Sequence, residues 1–182
     1  MSECIVLIGF KSSGKTTYGR LLAEASRRRF VDLDVLLEAL HHAQHGTRRL
    51  AHEVYHDLGA EGFRRLEREA IEGLGDTRGA VIATTGATVL DPPNVPALRR
   101  LGPLVLIDTP KAVIRERWLA GRLPRFLDAR DPHGSFERLY AIRREVYLGA
   151  ADGSVPTAGR RDEEVVADLL AFGGRATPPR HP

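Results

Sequence analysis

The sequence predicts an α/β fold built on a parallel sheet that is buried on both faces. Four short apolar runs recur along the chain, at 4–8, 30–31, 80–83 and 104–107, and the segments between them are long enough for helices. Short apolar runs that alternate with helical segments are typical of βαβ units. A length of 182 residues with 42% hydrophobic content is consistent with one soluble domain that buries a substantial core.

The first apolar run leads directly into a glycine-rich motif. Residues 9–16 read G-F-K-S-S-G-K-T and precede a helical pattern, which is the context of a phosphate-binding P-loop. Gly9 and Gly14 permit the backbone angles with which N–H groups wrap phosphates, and the following helix points its positive end at them. Lys15 supplies a charge to the β/γ-phosphates, and the Thr16 hydroxyl suits Mg²⁺. We therefore predict a nucleoside triphosphate site.

Two segments carry apolar residues at helical spacing and are expected to pack on the sheet. The first contains Tyr18, Leu21, Leu22 and Ala25. The second contains Val165, Val166, Leu169 and Leu170, after acidic residues 162–164 that favour a helix N-terminus. Residues 174–182 hold three prolines and no apolar period, so we expect a disordered tail after a single domain at 1–173.

Composition argues against several classes of partner. The 27 basic residues are offset by 24 acidic ones mixed among them, which argues against a nucleic-acid groove. No apolar stretch is long enough to span a bilayer, and no basic leader precedes the first apolar run, so we expect a cytoplasmic monomer without membrane contact. Cys4 is the only cysteine and is expected to be a small core residue.

Two stretches resemble insertions. Residues 119–135 are rich in glycine, proline and arginine, and they are a candidate for the lid with which phosphoryl-transfer enzymes exclude water. Residues 38–53 contain four histidines without cysteines or an H-E-x-x-H spacing, so a solvated helix or loop is favoured over a metal site. The four are His41, His42, His45 and His52.

Charged residues interrupt two apolar helix faces. Glu67 lies within the stripe formed by Phe63, Leu66, Ala70, Ile71 and Leu74, and Arg64 precedes it by three residues. Arg143 lies at the centre of the face formed by Phe136, Leu139, Tyr140 and Tyr147. A buried charge needs a partner. The alternatives are an internal Arg–Glu bridge, snorkelling to the surface, or a pocket in which Arg64 and Arg143 bind an anionic substrate.

Two carboxylates follow the second apolar run. Asp32 and Asp34 stand in F-V-D-L-D, and strand alternation places both on one side of the chain. Ligands of open parallel sheets bind at the carboxyl ends of strands. One carboxylate is expected to reach the Mg²⁺ of the nucleotide while the other accepts a proton or hydrogen bond from an acceptor hydroxyl. An Asx-turn or helix N-cap is the alternative for Asp34.

These segments together resemble the shikimate kinases, small P-loop kinases that move the γ-phosphate of ATP to the 3-hydroxyl of shikimate. The likeness runs from Ile5 to about Leu170. The family's G-F-x-x-x-G-K-[ST]-T-x-G-R-x-L-A is similar to residues 9–23 and its F-x-D-x-D-x-x-I-E to 30–38. Its G-E-x-x-F-R-x-x-E is similar to 59–67, with Ala60 in place of the first glutamate, and its R-x-P-x-Y-x-x-x-A-D to 143–152.

The resemblance implies a three-layer P-loop kinase fold with about five parallel strands and an acceptor-binding helical region at about 34–75. It implies that Thr16 and Asp32 serve Mg²⁺, with ATP as co-substrate, and that the catalytic residues are Lys15, Asp34 and Arg125. The implied ATP-binding residues are Gly9, Ser12, Ser13, Gly14, Lys15, Thr16, Thr17 and Arg117. By the resemblance, Arg117 stacks on the adenine ring, and the loop at 157–162 matches another segment that contacts adenine. The implied acceptor-binding residues are Asp34, Arg64, Glu67, Thr85, Gly86, Ala87 and Arg143.

Three departures from the family touch the acceptor side or the lid. The family's Gly-Gly-Gly appears as Thr85-Gly86-Ala87, so side chains enter where bare backbone lies against the substrate ring. The lid's R-P-L-L reads Pro124-Arg125-Phe126-Leu127, which moves the expected cation by one residue, and either Arg125 or Arg122 compensates. The segment at 38–53 is longer than the family pattern.

The functional prediction is ATP-dependent phosphorylation of a small hydroxylated carboxylic acid, with shikimate as the first choice. Because the departures cluster on the acceptor side, a related kinase of another polyol or cyclitol acid is an alternative. A nucleotide-binding regulatory protein without transfer activity is a further alternative, which the intact Lys15, Thr16, Asp32 and Asp34 disfavour.

Overall fold

The structure, a computed structural model, describes residues 3–120 and 127–174. A five-stranded parallel sheet in the order β2-β3-β1-β4-β5 forms its centre. The strands are β1 Ile5–Ile8, β2 Arg29–Asp32, β3 Ala80–Ala83, β4 Leu104–Asp108 and β5 Gly153–Pro156. The four apolar runs thus form the first four strands. β5, with the sequence G-S-V-P, contains no apolar run, and Val155 is its one buried residue.

Helices cover both faces of the sheet. They are α1 Lys15–Ser26, α2 Leu33–His45, α3 Ala51–Leu74, α4 Asn94–Arg99, α5 Lys111–Leu119, α6 Pro132–Ala150 and α7 Asp162–Leu170, with short 3₁₀ turns at Thr88–Leu90 and Ala171–Gly174. Helix α3 breaks at Gly59, where φ is 67° and ψ is −179°. The three-layer α/β architecture with five parallel strands agrees with the predicted fold.

The period of two along β1 divides the core into two layers. Val6 and Ile8 face a large cluster that includes residues of α3, α4, α5 and α6. Ile5 and Leu7 face a smaller cluster built with α1 and α7. Burial on both faces explains why β1 reads as a continuous apolar run. Cys4 is also fully buried, and its Sγ lies 3.3 Å from the Thr77 carbonyl oxygen, as expected for a core residue.

Two details of the predicted helix faces are wrong. Ala25 is exposed, whereas Leu22 is buried and Tyr18 and Leu21 are partly buried against the same cluster. Helix α1 also buries Gly19 and Ala23, which the predicted stripe did not include. Leu170 is 39% exposed and is the last residue of α7. No helix of the described ranges is long and apolar enough to cross a membrane.

The order of the strands places the P-loop at the centre of the sheet. β1 lies between β3 and β4. The helix that follows β1 packs on one face of the sheet, whereas the helices that follow β3 and β4 pack on the other face, and a crevice forms at the carboxyl ends of these strands. The loop after β1 opens into this crevice. The loops after β2, β3 and β4 reach the same edge and bring their polar residues beside it.

Candidate active site

The P-loop forms a cradle of backbone N–H groups at the start of α1. Gly14 caps the helix with φ 97°, a left-handed conformation that glycine adopts without strain. The N–H groups of the first turn have no partner within the helix and form the positive end of its dipole. Lys15 Nζ donates to the Gly9 and Phe10 carbonyls at 3.0 and 2.8 Å, so the ammonium lies inside the loop.

Three successive P-loop carbonyls are bound from outside the loop. Their donors come from the end of β4 and from α5, which lie beside the P-loop. The bonds are Trp118 Nε1 to Lys11 O at 2.8 Å, Arg117 Nη1 to Ser12 O at 2.7 Å and Thr109 Oγ1 to Ser13 O at 2.7 Å. These carbonyls therefore have protein partners and are held in place.

A cavity of about 490 Å³ opens at the P-loop. Its lining contains many of the residues predicted to bind ATP or acceptor, namely Ser12, Ser13, Gly14, Lys15, Thr16, Thr17, Asp34, Gly86 and Arg117. It also contains Lys11, Tyr18, Thr84, Thr109, Thr157 and Asp162. Gly9, Asp32, Arg64, Glu67, Thr85, Ala87 and Arg143 lie outside this lining. The predicted catalytic Arg125 and its alternative Arg122 lie outside the described residues, as do all of residues 121–126 of the predicted lid at 119–135.

The two aspartates after β2 occupy different elements. Asp32 ends the strand and caps α2, with its Oδ1 accepting from Asp34 N at 3.1 Å. Asp34 lies in the first turn of α2, so strand alternation does not govern its direction and that part of the prediction is wrong. The N-cap role foreseen as an alternative for Asp34 belongs to Asp32. The Thr16 hydroxyl donates to Asp32 Oδ2 at 3.1 Å, which brings these two oxygen donors together.

Burial shifts the pKa values of two charged residues that line the cavity. Burial, followed by the negative charge of Asp32, raises the pKa of Asp34 to about 6, against the opposing effect of Lys15. Burial lowers the pKa of Lys15 to about 8, although Asp34 and Asp32 oppose the change. Between these values the carboxylate is ionised and the ammonium is protonated, which is the charge state needed for a base beside a phosphate-binding cation.

Glu67 is buried and binds neutral groups. Its Oε1 accepts from the hydroxyls of Thr85 and Thr88, each at 2.8 Å, and its Oε2 lies 3.5 Å from Asn94 Nδ2. Burial raises the pKa of Glu67, and the two hydroxyl bonds act in the opposite direction. Within the described ranges Glu67 binds no arginine, so the internal Arg–Glu bridge is not formed. Thr85 turns its hydroxyl to Glu67 and not to the cavity.

Gly86 packs against the P-loop. A Cβ added there would lie 2.7 Å from Lys11 N, so glycine is required by the close approach of the two backbones. The Tyr147 hydroxyl donates to the Gly86 carbonyl at 2.5 Å. Arg143 is half-buried and hydrogen-bonds the same hydroxyl, and burial lowers its pKa. This series of hydrogen bonds connects Arg143 on α6 to the loop after β3.

Arg64, the other arginine predicted to bind the acceptor, lies at the surface, as do three of the four histidines of 38–53. Arg64 is exposed on α3, and its charge helps to lower the pKa of Asp91, whose main partner is Arg68. His41 is buried on α2 and the other three histidines of 38–53 are exposed. No group of three or more potential metal ligands occurs within the described residues.

Comparison with known proteins places this arrangement in a family. The family description "Shikimate kinase" matches residues 11–172. The chain belongs to the shikimate kinase family. It is 38% identical to the shikimate kinase of Symbiobacterium thermophilum over 168 residues, which is 91% of this chain and 93% of that protein. The shikimate kinase of Geobacter sulfurreducens is 34% identical over 92% of this chain and 89% of its own length.

Solved structures of the shikimate kinase family share the fold. The shikimate kinase from Acinetobacter baumannii in complex with shikimate superimposes with a TM-score of 0.79 at 26% identity, over 93% of this chain and 92% of that one. The enzyme from Aquifex aeolicus gives a TM-score of 0.70 at 28% identity, over 92% and 94% of the two chains. The predicted P-loop kinase fold, family and activity class, an ATP-dependent small-molecule kinase, are confirmed.

Sequence reasoning missed several polar residues of the site. Thr84 follows β3 and Thr109 follows β4, and both line the cavity. Their position directly after predicted strands is a signal that could have identified them, because ligands bind at that edge. Trp118 and Tyr147 carried no such signal, since each reads as an apolar position of a helix. Their polar atoms bind backbone carbonyls that are distant in sequence.

Proposed function

We propose that this protein transfers the γ-phosphoryl group of ATP to the 3-hydroxyl of shikimate. The observation that carries the proposal is the meeting of the P-loop cation Lys15 and the carboxylate Asp34 in one cavity, in a chain of the shikimate kinase family. A cation that binds the transferred phosphate and a base for the acceptor hydroxyl are the two charges that phosphoryl transfer requires.

The phosphates bind in the P-loop. The helix N-terminus at Gly14 directs N–H groups at them, and Lys15 supplies a positive charge that is available below pH about 8. Two of the three ammonium donors bind carbonyls of the loop, which leaves the third for a phosphate oxygen. Ser13 Oγ is buried and has no hydrogen-bond partner within the described residues, so it adds a donor in the cradle. Arg117, whose guanidinium lies at the cavity edge, contacts the adenine.

Thr16 and Asp32 are the residues that would hold Mg²⁺. Both present hard oxygen donors, and the 3.1 Å between Thr16 Oγ1 and Asp32 Oδ2 supports a shared role as metal ligands. Bound there, Mg²⁺ would neutralise charge on the β- and γ-phosphates. The donor set fits a magnesium ion better than a softer metal, because it contains neither sulfur nor imidazole.

The acceptor binds on the α2–α3 side of the cavity. Asp34 receives the hydrogen bond or proton of the acceptor hydroxyl, and its pKa of about 6 keeps it ionised yet basic enough for this role at neutral pH. Arg64 and Arg143 bind the carboxylate of the substrate, and Glu67 supports the same region from the core. Gly86 offers backbone to the ring, whereas Thr85 is used to hold Glu67.

The test is a coupled assay of ADP release with shikimate, quinate, gluconate and cyclitols as acceptors, with and without Mg²⁺. Shikimate is expected to give the highest kcat/KM, and removal of Mg²⁺ is expected to abolish turnover. The control is Lys15→Ala, which is expected to remain folded by circular dichroism and to lose most turnover. A folded variant with near-parental turnover would refute the mechanism, and a parent that prefers another acid would refute the acceptor.

A monomer working in the cytoplasm is part of the same proposal. In this proposal the residues that bind ATP, Mg²⁺ and the acceptor all come from one copy of the chain. Size-exclusion chromatography with light scattering measures the oligomeric state, and a stable dimer would contradict this part of the proposal without affecting the kinase activity.

A further inference from the structure

The single tryptophan of the chain lies buried beside the P-loop. Trp118 is 2% exposed, and its ring meets Phe10 and Phe136 edge-on, with centroid separations of 6.2 and 5.4 Å. Its Nε1–H donates to the Lys11 carbonyl at 2.8 Å. Residue 118 lies in none of the family motifs described above, so the resemblance gives this side chain no role.

The bond from Trp118 fixes a peptide group of the cradle. A trans peptide is planar, and its C=O and N–H point in opposite directions. When the Lys11 carbonyl is held towards the indole, the Ser12 N–H is directed the other way. Ser12 lines the cavity, and its N–H has no backbone acceptor within the described residues. The indole therefore sets the direction of a donor available to a phosphate.

The Lys11–Ser12 peptide needs such a bond because Ser12 adopts an unfavourable backbone conformation. Ser12 has φ 64°, in the left-handed region, which is unfavourable for a residue that carries a Cβ. Without a partner for the Lys11 carbonyl, the peptide between these residues is free to rotate and relieve the strain. Arg117 holds the next carbonyl, but its side chain is exposed, whereas the indole is fixed by the aromatic packing around it.

We propose that Trp118 is a positioning residue of the phosphate-binding loop, which acts by holding the Lys11–Ser12 peptide in the orientation that binds phosphate. The inference rests on the ATP binding proposed above. It predicts that loss of the indole N–H weakens nucleotide binding and leaves acceptor binding unchanged, because the bond reaches the P-loop only.

The decisive variant is Trp118→β-(3-benzothienyl)alanine, in which sulfur replaces the N–H and the ring keeps its shape. The affinity for Mg²⁺–ADP by calorimetry is expected to fall about fivefold, as for loss of one hydrogen bond. The KM for ATP should rise while the KM for shikimate stays within about twofold. Trp118→Phe also removes the indole N–H and is likewise expected to lower the affinity for Mg²⁺–ADP.

Phe136→Leu is the matched control, because it disturbs the same aromatic cluster and makes no bond to the P-loop. Its ADP affinity is expected to stay within about twofold of the parent. In the parent, the single indole N–H resonance should shift when Mg²⁺–ADP is added. A benzothienyl variant that binds ADP as tightly as the parent would overturn the inference. A parent that binds no ADP would instead overturn the proposed function, and the inference with it.

Discussion

Asp34→Asn is expected to stabilise the folded protein while removing most of its activity. Burial and the charge of Asp32 raise the pKa of Asp34 from 3.8 to about 6, so the ionised carboxylate is less favourable in the folded chain than in the unfolded one. At about 1.4 kcal/mol per pKa unit, the full shift corresponds to about 3 kcal/mol at pH 7.5. Because Asp34 is only partly buried, solvent screening reduces this value, and we expect a stabilisation of about 1 to 3 kcal/mol.

The sign of the pH dependence follows from the raised pKa. Between pH 3.8 and about 6 the folded state binds more protons at Asp34 than the unfolded state does, so stability falls as pH rises through this window. Asparagine has no charge and imitates the protonated carboxyl. The gain in stability of Asp34→Asn over the parent should therefore reach its full size above pH about 6. It should be about half as large at pH 5 and absent below the pKa of the aspartate in the unfolded chain.

Urea denaturation of parent and variant at pH 5 and pH 7.5 measures this difference. The control is Asp76→Asn, since the Asp76 side chain is fully exposed in a turn and should change stability by less than about 0.5 kcal/mol at either pH. If Asp34→Asn is no more stable than the parent at pH 7.5, or if its gain in stability is equal at the two pH values, the raised pKa of Asp34 is refuted as the cause. Steady-state kinetics should show kcat falling far more than ATP affinity.

Three further predictions concern the loop after β3 and the acceptor arginine. Thr85→Gly should lower the stability of the protein by about 1 to 2 kcal/mol, because Glu67 loses a buried hydrogen bond. Thermal melting measures this loss, and Thr85→Ser, which keeps the hydroxyl, should retain the parental stability. Gly86→Ala should weaken ADP binding measured by calorimetry, because a Cβ there would lie 2.7 Å from Lys11 N and displace the P-loop. Arg143→Lys should raise the KM for shikimate about tenfold with little change for ATP, since lysine lacks the planar fork of donors.

Each of these has a distinct contrary result. A Thr85→Gly variant as stable as the parent would mean that Thr88 and Asn94 suffice to hold Glu67. Unchanged ADP affinity in Gly86→Ala would show that the P-loop accommodates the methyl group. Equal changes in both KM values for Arg143→Lys would indicate a general disturbance of α6 rather than lost recognition of the acceptor.

The sequence by itself determined the phosphate site and most of the sheet. The P-loop was predictable because its chemistry is local: glycines at turns, a lysine and a threonine lie within eight consecutive residues and directly follow a strand. β1, β3 and β4 were predictable because burial on both faces leaves a continuous apolar run in the sequence. β2 has one buried residue but was marked by the pair Phe30-Val31, whereas β5 contains no apolar run, so its position came from the structure.

Only the tertiary structure decided which partners the buried polar groups take. The stripe around Glu67 showed that a carboxylate was buried, but the pattern suggested arginine, whereas the fold brings Thr85 and Thr88 against it from 18 and 21 residues away. Trp118 reaches Lys11 across 107 positions, and Tyr147 reaches Gly86 across 61. Periodicity identifies the buried face of a helix, because that depends on neighbours along the chain. The atom that a side chain meets there depends on the packing of other elements, which the local pattern does not contain.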